Sequence, residues 1–233
     1  MIVILVNTAS IILGGLIGII FKKYIKKEIC KQVLVAEGIV VMIIAIIGIV
    51  KTMVVIIGNT ISTQNELLLL ISISIGTFIG EVIDIDKYIN KFGKGVERKI
   101  AKEGVAQGLI YATLIFCVGA MAIVGSINAA LGNNEILYLK SILDGITALI
   151  LATTLGLGVV LSSILVLGYQ GLLFLLGLFL GNVMSEEFIN SFSMVGYVMI
   201  FCIGLNFIRE EKIKVSNMIP SLFIVILYYL IFV

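Results

Sequence analysis

The sequence has no histidine, one proline (Pro220), three cysteines, and only 13% Asp, Glu, Lys and Arg in 233 residues. Without histidine there is no His-based triad, no H-E-x-x-H metalloprotease site and no imidazole metal ligand. Cys30, Cys117 and Cys202 form no C-x-x-C pair, so a disulfide scaffold is excluded. The near absence of proline excludes collagen. The shortage of charge excludes a soluble globule, which carries about 25% charged residues and about 45–50% apolar ones. Here 61% of residues are hydrophobic and the mean hydropathy is +1.23. A chain of this length cannot hide that much apolar surface from water. What the sequence does contain is apolar length, and it reads as an all-α polytopic membrane protein.

A spanning helix needs roughly 20 mostly apolar residues. Such runs predict eight spans, at 2–20, 33–57, 66–83, 105–130, 139–163, 166–183, 192–208 and 216–233. The run from Ser141 to Gly181 has no charge after Asp144 and is too long for one helix. It is divided near Ser162, Ser163 and Gly168-Tyr169-Gln170. The runs are continuous rather than alternating, which argues against a β-barrel. Met1-Ile2-Val3 lacks a basic n-region and no A-x-A site follows, so span one is expected to persist.

With eight spans, one side of the membrane receives Lys22, Lys23, Lys26, Lys27 and Lys31 after span one. It also receives Lys87, Lys91, Lys94, Arg98, Lys99 and Lys102 after span three, and Arg209, Lys212 and Lys214 after span seven. Only Lys51 and Lys140 fall on the other side. The positive-inside rule makes the rich side cytoplasmic and places both termini outside, in a bacterial inner membrane. The net charge of +2 gives no reason to expect nucleic acid as a partner. The basic clusters suit anionic lipid headgroups. Between Glu81 and Glu103, apolar residues interleave with charges at near-helical spacing, which predicts an amphipathic cytoplasmic segment over 82–103.

Three segments resemble one another. Gly14-Gly15-Leu16-Ile17-Gly18, Gly76-Thr77-Phe78-Ile79-Gly80 and Gly177-Leu178-Phe179-Leu180-Gly181 each end a helix, and an aromatic-Ile pair follows each. Ile115-Phe116-Cys117-Val118-Gly119 likewise resembles Ile200-Phe201-Cys202-Ile203-Gly204. The second and third copies begin at spans three and six, an odd number of crossings apart. Spans 3–5 and 6–8 therefore read as a three-plus-three inverted repeat, with spans 1–2 as a partial copy in front. The implied divisions are a two-helix partial repeat (1–60), repeat A (61–164) and inverted repeat B (165–233). Inverted repeats are common in secondary transporters, whose sites lie near the midplane. The glycines of these motifs, Gly14, Gly18, Gly76, Gly80, Gly119, Gly177, Gly181 and Gly204, are read as helix-packing positions.

Among the polar residues, Asp144 stands out as a carboxylate inside a span. A charge there costs about 2.5–3.5 kcal/mol on insertion scales and must face protein or water. One reading is a cation or proton site with Thr147 adding an oxygen. The other is a local pair with Lys140, four residues earlier on the same side, with Asp144 only about one turn inside the outer end of the span. Asn7, Ser126, Asn128 and Gln170 are further candidate ligands, since a buried amide needs a partner. Asn7, Asn128 and Asp144 fall in the outer half and are expected to converge on an outward-facing cavity. No metal site is assigned.

The runs Phe116-Cys117-Val118-Gly119-Ala120-Met121 through Ser126-Ile127, Lys140-Ser141-Ile142-Leu143-Asp144-Gly145 and Tyr169-Gln170-Gly171, with the opening Val6-Asn7-Thr8 and Gly14-Gly15, resemble the bacterial membrane-protein family named domain of unknown function 554. The resemblance spans nearly the whole chain. It implies a polytopic inner-membrane protein, often described as a candidate transport protein, and supplies no established substrate or catalytic residues.

The leading functional reading is a secondary transporter of a small solute or monovalent cation, coupled to a cation or proton. The alternatives are an ion channel and a non-transport assembly or lipid-binding factor. Partners beyond the lipid bilayer are the solute or cation, and a homo-oligomer is a further option. No cofactor is expected. No enzyme is expected either, because no nucleophile-base pair or metal-ligand spacing is visible.

Overall fold

The computed structural model describes residues 1–24, 27–57, 60–88, 91, 104–117, 120–181 and 185–232. Its elements are α1 (Ile2–Phe21), α2 (Lys27–Met53), β1 (Val54–Ile57), β2 (Thr60–Thr63), α3 (Glu66–Ile83), α4 (Gly104–Cys117), α5 (Ala120–Ala130), α6 (Glu135–Leu155), α7 (Leu157–Gly181), α8 (Glu186–Ile208), a 3-10 turn (Val215–Met218) and α9 (Pro220–Phe232). Among the described residues, seven helical stretches are long and apolar enough to cross a membrane. Tyr111–Cys117 and Met121–Ala130, bent by 56°, make an eighth if the pair is one span. The bilayer is thus the solvent of this chain, and many large apolar side chains face outward into it.

Three expectations are corrected. The second span ends at Met53, and its last four residues form β1 instead. Val54-Val55-Ile56-Ile57 is wholly β-branched, which favours a strand once the helix has stopped. β1 pairs antiparallel with β2, Ile56 opposite Ile61. The long run divides at Gly156, not at Ser162–Gln170. Gly156 closes α6 at φ +63° and ψ −143°, a positive-φ conformation open mainly to glycine, and its N–H bonds to Ala152 O. Ser162 and Ser163 instead bond back to Val159 O and Val160 O within α7. Finally, the fifth span begins at Glu135 rather than at 139, so Lys140 lies more than one turn inside α6 rather than at its edge. The amphipathic segment 82–103 falls mostly outside the described residues; 85–88 are helical.

The chain forms two compact units. One comprises Met1–Leu34 and Lys87–Asn182, the other Val35–Asp86 and Val183–Val233. In the first, α1 and α6 run parallel with their backbones almost touching. A Cβ at Gly14 would lie 1.9 Å from Gly145 O, and one at Gly18 would lie 2.1 Å from Leu149 O. α7 runs antiparallel to α1: Gly15 meets Val160, while Val3 and Ile4 share a core with Phe174. The broken pair α4–α5 is antiparallel to α6, with Gly108 against Leu155 and Gly125 against Ile136. It is parallel to α7, with Gly158 against Val105 and Gly177 against Ala130. These directions are the ones that spans one, four, five and six need in a chain that crosses at every span.

In the second unit, α3 and α9 run antiparallel, again backbone to backbone. Cβ atoms at Gly76 and Gly80 would lie 2.3 Å from Ser221 N and 1.7 Å from Asn217 O. α2 and α8 are antiparallel through Gly38 against Gly204 and Gly48 against Tyr197. Asn206 clasps the loop after α8 by donating to Ile213 O and accepting from Ile213 N. Lys214 sits 3.3 Å from Asp84 and 3.7 Å from Glu81, and the Asp84 hydrogen bond holds its ammonium above the ordinary lysine pKa. Gly119 lies outside the described residues, as does the packing of Gly181.

Candidate functional site

The first unit gathers four of the polar residues at one place. Asp144 (α6) and Lys140, one turn earlier on the same helix, are 6% and 5% exposed. The Lys140 ammonium lies 2.8 Å from each carboxylate oxygen. Asn7 (α1) is fully buried and donates through Nδ2 to Asp144 Oδ2 at 3.0 Å. The same Nδ2 donates to Gln170 Oε1 on α7 at 3.1 Å, and Gln170 is also fully buried. The result is a continuous polar chain, Lys140–Asp144–Asn7–Gln170, across three helices.

The local sequence explains the convergence. Small residues at 14, 18 and 145 allow α1 to press against α6, which carries Asn7 to the carboxylate. Ile4 and Gly15, bracketing Asn7, pack near Phe174 and Val160, which bracket Gln170. Lys140 and Asp144 share a face because four residues make about one turn. Each charge alone is costly in a membrane, and the pair carries no net charge.

Depth is the main geometric finding. Asp144 is the tenth residue of the 21 in α6, and Gln170 the fourteenth of the 25 in α7. At about 1.5 Å per residue, Asp144 lies roughly 13 Å along its helix, close to the midpoint of α6. It is not one turn from the end, as expected from a span starting at 139. The carboxylate is also not open to an outer cavity, because Lys140 covers both oxygens.

The other expected ligands do not join. Thr147 stands one turn beyond Asp144, half-buried, with no hydrogen bond to it among the described residues. Ser126 and Asn128 on α5 are fully buried, and their side-chain polar atoms have no partner among the described residues. Asn7 Oδ1 and Gln170 Nε2 also lack one, so the amide pair makes one hydrogen bond where two are available. Sequence reasoning did not place Cys117 here, yet this last residue of α4 packs, with Phe116, on the core that holds Ala148 and Ala152 of α6. The end of a broken helix therefore packs on the helix that carries the charges. The only advance sign was a small-residue run, Val118-Gly119-Ala120, interrupting an apolar span. Among the described residues, no group of three or more His, Cys, Asp or Glu is placed to hold a metal.

The family described as "Protein of unknown function (DUF554)" matches residues 2–230. The chain is similar to "Uncharacterized membrane protein YdfK" of Bacillus subtilis, 32% identical over 219 residues that cover 94% of this chain and 91% of the relative. It is also similar to "Uncharacterized protein YqgA" of Escherichia coli, 25% identical over 225 residues, covering 93% and 91%. No solved structure matches. The family match across nearly the whole chain, the YdfK similarity and the apolar helices agree: this is a membrane protein that belongs to the DUF554 family.

Proposed function

We propose that the protein is a secondary transporter of a small solute or ion, and that Asp144 is its coupling carboxylate. The observation that carries this reading is a buried charge pair at mid-helix depth in α6, hydrogen-bonded to two further helices, on a helix against which the end of the broken span packs. Ionisable residues at such depth mark ion and proton paths, and discontinuous helices build midplane sites in transporters. Lys140 acts as a tethered cation. It satisfies Asp144 in the resting state, and an incoming proton or monovalent cation takes its place during transport. Asn7 and Gln170, each with a free polar atom, are the adjoining solute contacts, and Ser126, Asn128 and Thr147 complete the path as the helices move.

The same proposal includes an inverted repeat of spans 3–5 and 6–8, with divisions at 1–60, 61–164 and 165–233. The recurrence of the G-x-x-x-G and aromatic-Ile pattern at 76–80 and at 177–181 supports repetition. The basic loops support an inner-membrane location with both termini outside. No catalytic role is proposed.

One observation favours a second reading, a non-transport membrane factor: the Lys140–Asp144 pair is closed and nearly unexposed, as a structural clasp would be. Proteoliposomes loaded with a pH-sensitive dye separate the readings. An imposed proton gradient should collapse faster with the transported solute present, drawn from a panel of amino acids, organic acids and polyols. Asp144→Asn should abolish that solute dependence. Non-saturating flux without solute would point to a channel. No flux from folded protein under any gradient would favour the clasp.

A further inference from the structure

The seam between α3 and α9 is tight at one end and open at the other. Glycines at 76 and 80 bring the backbones into contact, in an antiparallel register that pairs Gly76 with Ser221 and Gly80 with Asn217. Continued toward the start of α3, that register brings Glu66 level with Ile231. Here the facing residues are large: Leu68 and Ile71 on α3, Leu227, Tyr228 and Ile231 on α9. They wedge the helices apart and leave a groove of about 620 Å³, the size of a one-ligand site. Leu68 is its buried floor. Among the described residues Glu66 is its sole charged lining group, and it stands in the first turn of α3. Tyr228 lies beside it in an aromatic cluster, 5.3 Å from Tyr229 and 5.5 Å from Phe232, ring centre to ring centre.

We propose that this groove binds one aminophospholipid from the leaflet at which α3 begins, its acyl chain along Leu68 and Leu227 and its ammonium against the Glu66 carboxylate. Charge complementarity chooses the occupant. A carboxylate at the mouth of an apolar groove attracts the ammonium of a zwitterionic headgroup and repels a lipid with only negative charge, and the Tyr228 ring offers a face that ammonium groups also favour. This inference is independent of the transport reading, because every residue it uses lies in the second unit.

The test is native mass spectrometry of the protein released into mild detergent from nanodiscs of equal parts phosphatidylethanolamine and phosphatidylglycerol. One phosphatidylethanolamine per chain should be retained, with about fivefold preference over phosphatidylglycerol, the size of an exposed ion pair. Glu66→Gln should remove the preference and Glu66→Lys should invert it; position 66 is exposed, so both variants fold. Leu68→Trp should fill the floor and release both lipids. Equal retention of the two lipids, a preference unchanged in Glu66→Gln, or a second copy of the chain in place of lipid would each overturn the proposal.

Discussion

Lys140→Met removes the ammonium that lies 2.8 Å from both oxygens of Asp144 while keeping most of the side-chain volume. The carboxylate is then left with one amide donor, Asn7 Nδ2, at 6% exposure. Breaking a buried pair by removing one partner costs about 3–5 kcal/mol, because the remaining charge is uncompensated. For a chain of this size 1 kcal/mol moves the melting temperature by about 2–4 °C, so Lys140→Met should melt roughly 6–20 °C lower. Asp144→Asn in the same protein removes the stranded charge and still accepts from Asn7. The double variant should therefore recover most of the loss, with a coupling energy of at least about 2 kcal/mol. The assay is heating in detergent followed by size-exclusion recovery of folded protein. A single variant within about 2 °C of the parent, or a double variant no better than the sum of the singles, would refute the claim that the pair is buried and closed.

Gly80→Ala places a Cβ 1.7 Å from a backbone oxygen of Asn217, so α3 and α9 must separate, and stability should fall by about 1–3 kcal/mol. Gly168→Ala, mid-helix in α7 with nothing within 4 Å of its Cβ, should instead be neutral or gain up to about 1 kcal/mol in the same melting assay. A cysteine at Lys212 should resist an impermeant thiol reagent outside intact cells, whereas one at Ser62 in the β-hairpin should react; the opposite pattern would reverse the proposed orientation. An experimental structure should superpose spans 3–5 on 6–8 about a two-fold axis near the membrane plane, with Gly80 on Gly181 and Gly119 on Gly204; a parallel axis would end the inverted-repeat reading.

Hydropathy located the spans because lipid demands about 20 apolar residues per crossing, and that demand is written locally. It was blind within continuous apolar stretches. Nothing in the composition of Ser141–Gly181 distinguishes a break at Gly156 from one near Gly168; the positive-φ backbone at Gly156 decides it. Val54–Ile57 are as apolar as the helix before them, so hydropathy extended α2 into what is a strand. Starting the fifth span at 139, with Lys140 at its edge, followed from treating charge as a sign of water. The burial of Lys140 makes sense only with Asp144 one turn away, and that start had put the carboxylate too near the membrane surface. Asn7, Asp144 and Gln170 were legible because an amide or carboxylate within a span requires a partner, and the meeting of Asn7 with Asp144 was expected from their common outer half. The addition of Gln170 and the absence of Asn128 were not, since they depend on how closely the helices approach, which Gly14, Gly18 and Gly145 settle in three dimensions for α1 and α6.

The central claim is that Asp144 exchanges Lys140 for a mobile cation or proton. Charge movement on a solid-supported membrane tests it most directly. Proteoliposomes holding the parent protein are subjected to rapid jumps in proton or sodium concentration, and the transient current is recorded. The account predicts a saturable current from the parent and none from Asp144→Asn, with that variant still monodisperse and inserted. A folded Asp144→Asn protein giving the parent's current, or a parent protein silent to both ions, would contradict it.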